Sequence, residues 1–418
     1  MDPVAPVVAA LAVLLLAGKF GGEIATRIGQ PAVLGELLVG IVLGNLSFGG
    51  VAPFQALATN ETIEVLAGIG ALILLFGVGV ESTVAQMLKV GATSLFVAVL
   101  GVIVPFALGW GVGAWLLPDA SPYLHAFLGA TLCATSIGIT ARVLQDVGAS
   151  RSPEARIILG AAVIDDVLGL VILGTVAGAI GAAAQGLPFS VISVAKTTGL
   201  AAAFLVGALV IGTTTAPRLF AAASLLHVRG VLVTVSLSLC FLFAWASSLM
   251  GLAPIIGAFA AGLVLEEVHF KDFVDRGERS LGELLRPISE LLVPVFFVLM
   301  GLRTDLGAFA TPGALGLAAA LIVVAIVGKQ VCALGVIVPG VNRLAVGIGM
   351  IPRGEVGLIF ANVGAGLTLD GAPVIGPSTF SAVVAMVVVT TMITPAALKW
   401  SLARGTRGKA AIQQSGDA

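Results

Sequence analysis

Two adjacent aspartates, Asp165 and Asp166, are the residues of this 418-residue chain best placed to do chemistry. The segment around them, residues 157–174, is otherwise apolar and long enough to be part of a transmembrane helix. A carboxylate at mid-membrane costs about 2.5–3.5 kcal/mol on insertion scales, so it needs a partner, a proton or a cation. The pair therefore predicts a site that binds cations or protons.

Lys329 is the predicted partner of one of these aspartates. It lies deep in a later apolar segment, too central for its ammonium group to reach the membrane surface, so it needs an acidic neighbour. Adjacent residues of a helix point about 100° apart, so Asp165 and Asp166 cannot both face it. We predict that one carboxylate pairs with Lys329 and the other faces an ion cavity. A static, structural ion pair is the alternative.

Two polar interruptions occur in other apolar spans. Thr135 and Ser136 precede a glycine in one span, and Arg353 and Glu355 flank a glycine in another. Both sites predict helices broken at mid-membrane, with the freed backbone lining a cavity. Arg353 and Glu355 would compensate the partial charges of the broken helix ends, although direct contact of Glu355 with the ion is the alternative. Thr135 and Ser136 either offer oxygen ligands to a cation or serve helix packing.

The composition is that of a polytopic membrane protein. Hydrophobic residues make up 58% and charged residues 10% of the chain, with a mean hydropathy of +1.13, whereas soluble domains carry about 25% charged residues. The three cysteines are widely spaced inside apolar spans, which favours neither disulfides nor a metal site. We therefore predict a lipid bilayer as the environment, no cofactor, no nucleic-acid partner and no nucleotide-binding domain.

Hydropathy and turn residues predict an all-α fold of about thirteen transmembrane helices. Their approximate limits are 3–28, 31–46, 61–80, 91–117, 122–146, 154–183, 189–213, 229–249, 252–267, 283–302, 312–337, 341–368 and 373–402. The first of them has no basic segment before it, so we interpret it as a retained helix rather than a cleaved signal peptide.

Lysine and arginine are distributed unevenly between the two sets of alternate loops. One set and one terminus hold sixteen of them: Arg27, Lys89, Arg142, Arg151, Arg156, Arg218, Arg229, Lys271, Arg276, Arg279, Arg286, Arg343, Lys399, Arg404, Arg407 and Lys409. The opposite set holds Lys196 and Arg303. By the positive-inside rule, the C-terminus is cytoplasmic and the N-terminus external.

The chain also repeats itself. Three pairs of similar segments share a glycine at matching positions, at offsets of 222, 222 and 216: Gly40 with Gly262, Gly79 with Gly301, and Gly138 with Gly354. Each pair of helices is seven spans apart, and this odd separation means opposite orientation. The pattern predicts an inverted-topology repeat, a feature of secondary transporters in which the site lies near the midplane at the repeat interface.

Several of these segments resemble the cation/proton antiporter superfamily, and most closely the NapA-type bacterial sodium/proton antiporters. The resemblance is strongest over 135–144 and 160–169, with further support from 31–36, 294–302 and 353–355. It covers nearly the whole chain. The adjacent aspartates with a remote lysine resemble the electrogenic branch in particular.

The resemblance implies the NapA/NhaA-like antiporter fold, a homodimer with the first helix at its interface, and a core domain that moves like an elevator. The implied divisions are dimerisation helices at 1–90 and 216–303, core ion-transport halves at 91–185 and 304–403, a linker helix at 186–215 and a short cytoplasmic tail at 404–418. It also implies that Asp166 binds the Na⁺ ion and that Asp165 pairs with Lys329. Thr135 is a further candidate Na⁺ ligand because its hydroxyl is a hard oxygen donor.

We therefore predict a secondary active transporter, not an enzyme, that exchanges Na⁺ or Li⁺ for H⁺ across a bacterial-type inner membrane. A K⁺/H⁺ antiporter of the same superfamily is the alternative. An ion channel is a further alternative, but no ring of carbonyls or charges suggests a selectivity filter. An intramembrane aspartyl protease would need two converging carboxylates, whereas adjacent residues on one helix diverge.

Overall fold

The computed structural model describes residues 4–46, 54–81, 91–146, 149, 152–185, 191–226, 228–250, 252–265, 273, 279–310, 312–369 and 371–416. Four basic residues of the loop charge count, Lys89, Arg151, Lys271 and Arg276, lie outside this described part.

The described residues form almost entirely helices. In chain order they are α1 (Val4–Arg27), α2 (Ala32–Asn45), α3 (Gln55–Ala58), α4 (Glu61–Glu81), α5 (Ala92–Leu116), α6 (Pro122–Thr131), α7 (Ile137–Asp146), α8 (Pro153–Ala184), α9 (Val191–Ala223), α10 (Val231–Leu249), α11 (Pro254–Val264), α12 (Leu281–Leu302), α13 (Pro312–Val331), α14 (Arg343–Gly349), α15 (Glu355–Gly366) and α16 (Pro377–Gly416). Short 3-10 helices cover Gly307–Ala310 and Cys332–Gly335.

Every predicted span corresponds to a helix or to an interrupted helix. In the part of the chain that the structure describes, nine helices are long and apolar enough to cross a membrane, and α2, α11 and most of α15 are shorter apolar helices. The prediction of an all-α polytopic membrane protein is confirmed.

Three predicted span limits were wrong, one of them at the end of the chain, where α16 continues to Gly416 instead of ending at 402. Helix α9 continues ten residues beyond the predicted end at 213, and Thr213, Thr214 and Thr215 satisfy their hydroxyls within it by donating to carbonyls one turn back. The last span begins at Pro377 instead of 373, because strands β1 (Thr368–Leu369) and β2 (Ala372–Pro373) pair antiparallel before it.

The chain divides into two compact units. Unit 1 comprises residues 1–86, 170–306 and 367–373, and unit 2 comprises 87–169, 307–366 and 374–418, so α8 is divided after Gly169.

In unit 1, glycines allow two pairs of helices to touch through their backbones. Helix α2 packs on α12, and a Cβ on Gly40 would lie 2.3 Å from the carbonyl oxygen of Val298 and 3.0 Å from the Cα of Gly301. Helix α4 packs on α11, where a Cβ on Gly262 would lie 2.8 Å from the Cα of Gly79. The sequence repeat relates Gly40 to Gly262 and Gly301 to Gly79, so these two crossings are equivalent. Small residues at such crossings are typical of membrane helices.

In unit 2, two helices are interrupted where the repeat predicted it. Residues 132–136 separate α6 from α7, and residues 350–354 separate α14 from α15. The backbone N–H of Ser136 donates to the carbonyl of Pro352 at 2.9 Å, so the two interruptions are in contact. The predicted inverted repeat with two crossed, broken helices is therefore confirmed.

Candidate ion-binding site

Helix α8 carries both aspartates into the interior of unit 2. It begins at Pro153, and the Ser152 hydroxyl caps its first turn by accepting a hydrogen bond from the N–H of Ala155 at 3.1 Å. The apolar residues that follow bring the acids to mid-helix, where Asp165 is 0% and Asp166 2% exposed. Both carboxylates are therefore removed from solvent, as the sequence predicted.

Lys329, near the end of α13, is paired with Asp165. Its Nζ atom lies 2.5 Å from Oδ2 of Asp165, and both side chains are fully buried. The same Nζ donates to the carbonyl oxygen of Cys133 at 2.6 Å. A buried ion pair is tolerated only with good geometry and additional hydrogen bonds, and this pair has both. The ion pair of Lys329 with one of the two aspartates is therefore present. That this pair opens and closes during transport remains a prediction.

The hydroxyl of Thr135, in the first interruption, is directed at the ion pair. Its Oγ1 donates to Oδ2 of Asp165 at 2.7 Å, and the carbonyl oxygen of Met350 lies 3.2 Å from it. Ser136 is also buried, and its Oγ lies only 2.6 Å from the position that a Cβ on Gly354 would take. The structure thus gathers the two hydroxyl residues with Asp165 and the second interruption. Their coordination of a cation remains a prediction.

Arg353, in the second interruption, is fully buried and donates from Nη1 to the carbonyl oxygen of Ala134 in the first. This places a positive charge on a carbonyl freed from helical hydrogen bonding, which is the geometry that charge compensation needs. The side chain of Glu355, the other residue predicted to compensate charge, lies outside the described part of the structure.

Sequence reasoning missed three threonines that hold the interruptions. On α16, Thr391 donates from Oγ1 to the carbonyl of Arg353 at 2.6 Å, and the Thr390 hydroxyl accepts from the Arg353 N–H at 3.4 Å. On α7, Thr140 donates to the carbonyl of Gly349 at 2.7 Å. The adjacent pair Thr390 and Thr391 inside an apolar span could have indicated this role, because polar side chains in membrane helices contact other polar groups.

Among the site residues whose side chains the structure describes, the formal charges cancel. Asp165 and Asp166 contribute two negative charges, and Lys329 and Arg353 two positive ones. One added proton or one added monovalent cation would give the same net charge of +1. Among the described residues, no group of three or more His, Cys, Asp or Glu side chains is arranged to hold a metal ion.

Comparison with known proteins gives a family match over most of the chain. The model of the family described as "Sodium/hydrogen exchanger, transmembrane" matches residues 10–404. The high-affinity Na⁺/H⁺ antiporter NhaS3 of Synechocystis is 36% identical, with 94% of this chain and 88% of that protein covered. The Na⁺/H⁺-K⁺ antiporter GerN of Bacillus cereus is 33% identical, with 96% of this chain and 97% of that protein covered.

A solved structure shares the fold. The sodium proton antiporter MjNhaP1 of Methanocaldococcus jannaschii superposes with a TM-score of 0.68, covering 96% of this chain and 98% of that one. The two sequences are 17% identical, so this likeness concerns the fold alone.

Proposed function

Since this chain belongs to the sodium/hydrogen exchanger family, we propose that it exchanges Na⁺ for H⁺ across the membrane and that both ions compete for Asp166. The observation that carries this proposal is the buried ion pair of Asp165 with Lys329. The pair engages Asp165, and we assign the transported ion to the adjacent, likewise buried Asp166 because the resemblance to the antiporter family implies that role. The names of the related antiporters support the same reaction.

Competition at Asp166 follows from electrostatics. A buried carboxylate is costly in its charged form, so it takes up either a proton or a cation. Because one proton and one Na⁺ carry the same charge, either can neutralise the Asp166 carboxylate. Hydroxyl and carbonyl oxygens at the interruptions, including those of Thr135 and Ser136, would complete the coordination of a hard cation such as Na⁺.

Electrogenic exchange is the finer part of the proposal. If Lys329 also releases a proton when Na⁺ arrives, two protons move for each Na⁺, and net charge crosses the membrane. The contact of Lys329 with Asp165 supports this, because a pair that forms and separates during the cycle gives the lysine two environments. Removal of Lys329 should then change the number of charges moved per cycle.

We further infer from the family resemblance that unit 2 carries the site in an elevator-type movement and that the protein works as a homodimer. The interrupted helices, Asp165, Asp166 and Lys329 all belong to unit 2, which is consistent with one body that carries the ion. The basic loops favour a cytoplasmic C-terminus and an external N-terminus.

K⁺ is the second candidate cation. The related GerN protein is named a Na⁺/H⁺-K⁺ antiporter. Carboxylate and hydroxyl oxygens suit Na⁺, Li⁺ and K⁺ alike.

The test is proton flux in proteoliposomes, driven in turn by Na⁺, Li⁺ and K⁺. The wild-type protein should exchange protons for Na⁺, and Asp166→Asn should lose the exchange, because the amide cannot take up a proton at the same position. Asp119→Asn is the matched control, since Asp119 lies exposed between α5 and α6. Undiminished Na⁺-driven flux in Asp166→Asn would reject the assignment.

A further inference from the structure

One oxygen of the buried ion pair has no described partner. Oδ2 of Asp165 accepts from both Lys329 and Thr135, whereas Oδ1, equally buried, has no hydrogen-bond partner among the described residues. A buried carboxylate oxygen without a donor is costly, and native proteins usually satisfy such atoms with protein groups or ordered water. The ammonium group of Lys329 is in a similar position, because its described contacts use two of its three N–H donors.

Gly101 on α5 faces both of these groups. An ideal Cβ on Gly101 would lie 3.3 Å from Nζ of Lys329 and 3.6 Å from Oδ1 of Asp165. Glycine therefore places no side chain at a point that is within about one water diameter of both groups. The Cβ of Cys332 lies 3.5 Å from the same position.

The backbone carbonyl of Gly101 also lacks its regular helical hydrogen bond. Pro105 lies inside α5, four residues later, and has no N–H to donate to the carbonyl of Gly101. That carbonyl has therefore lost the hydrogen bond that it would accept in a regular helix.

We propose that Gly101 is a positioning residue that keeps room for one water molecule bridging Oδ1 of Asp165 and Nζ of Lys329. Such a water donates to the carboxylate oxygen and accepts from the ammonium group. When the ion pair separates during exchange, the same water keeps both charged groups hydrogen-bonded and so lowers the cost of separation. This inference rests on the proposed function for its transport role, but the water itself does not depend on that role.

Three variants test the role in transport. Gly101→Ala fills the space with a methyl group. We expect the maximal rate of Na⁺-driven proton flux to fall about tenfold, because one hydrogen bond to a charged group is lost. The Na⁺ concentration for half-maximal rate should change little, because the Asp166 side is untouched. Gly101→Ser is larger but carries a hydroxyl that can replace the water, so its rate should exceed that of Gly101→Ala.

The matched control is Gly111→Ala on the same helix, since a Cβ there meets nothing within 4 Å. It should retain the wild-type rate. A wild-type rate in Gly101→Ala would overturn the proposal. A serine variant as slow as the alanine variant, or slower, would also overturn it, because a purely steric role predicts that order. Size-exclusion profiles and thermal unfolding of the purified variants show whether each has folded.

A high-resolution structure of the wild-type protein separates this inference from the proposed function. We expect density for a water within hydrogen-bonding distance of Oδ1 of Asp165, and its absence would reject the inference whatever the transport result. If wild-type proteoliposomes show no cation-driven proton flux, the proposed function fails while the bound water is still tested by that density.

Discussion

Thr135 and Lys329 donate hydrogen bonds to the same atom, Oδ2 of Asp165, at 2.7 and 2.5 Å. One donor comes from a helix interruption and the other from the end of α13, 194 positions apart by their numbers (329 − 135). Asp165 is therefore held by a neutral and a charged donor together, and each can be removed separately. The two removals have different expected effects.

Lys329→Gln should abolish the dependence of exchange on membrane potential. Without the ammonium group, ionised Asp165 would be a buried charge without its counter-charge, at a cost of about 3–5 kcal/mol, so it would remain protonated throughout the cycle. The variant would then exchange one proton per Na⁺. Proton flux in proteoliposomes with and without an imposed potential measures this. Lys196→Gln is the control, because Lys196 is exposed near the start of α9. An unchanged potential dependence in Lys329→Gln would show that the pair is static.

Thr135→Val should weaken the apparent affinity for Na⁺ while the protein remains folded. Valine keeps the shape of threonine but removes the hydroxyl that we propose as a Na⁺ ligand. The same change removes the hydrogen bond to Asp165, a bond to a charged group worth about 1.5–3 kcal/mol. The Na⁺ concentration for half-maximal flux should rise. Thr135→Ser retains the hydroxyl and should stay near the wild-type value. Equal Na⁺ dependence in the valine and serine variants would exclude a role of the hydroxyl.

Arg353→Gln should lower the thermal stability of the purified protein. Its guanidinium is fully buried and donates to the carbonyl of Ala134, and loss of that charged donor should cost about 1.5–3 kcal/mol. Arg353→Lys keeps the positive charge and should lose less stability. The midpoint of thermal unfolding in detergent compares the three proteins. An unchanged midpoint in Arg353→Gln would mean that the freed carbonyl needs no charged donor.

Gly40→Ala should destabilise the contact between α2 and α12. The added Cβ would lie 2.3 Å from the carbonyl oxygen of Val298, so the backbones must separate, at a cost of about 1–3 kcal/mol for overpacking. Gly262→Ala should behave alike, because its Cβ would lie 2.3 Å from the carbonyl of Phe76 at the repeat-related crossing. Gly68→Ala is the control, with nothing within 4 Å. The measurement is thermal unfolding, and equal midpoints for Gly40→Ala and Gly68→Ala would contradict the expectation.

Much of the fold was predictable because membrane helices must satisfy their backbone hydrogen bonds internally. Apolar length therefore located the spans, and the polar interruptions at Thr135 and Arg353 identified the breaks. The repeated glycines identified equivalent crossings, since only glycine allows so close a backbone approach. The end of α9 was missed because the polar run Thr213, Thr214 and Thr215 resembles a loop in sequence. In the structure, these hydroxyls donate to carbonyls of their own helix.

The sequence by itself determined that two acids and a lysine lie buried in apolar helices, and that charge burial of this kind requires partners. Only the tertiary structure decided which groups meet. It joined Lys329 to Asp165, placed the Thr135 hydroxyl on the same oxygen and brought Arg353 to a freed carbonyl. The physical reason is that the composition of a segment and the spacing of its apolar residues determine whether a residue is buried. The partners of that residue depend on the packing of helices that are distant in sequence.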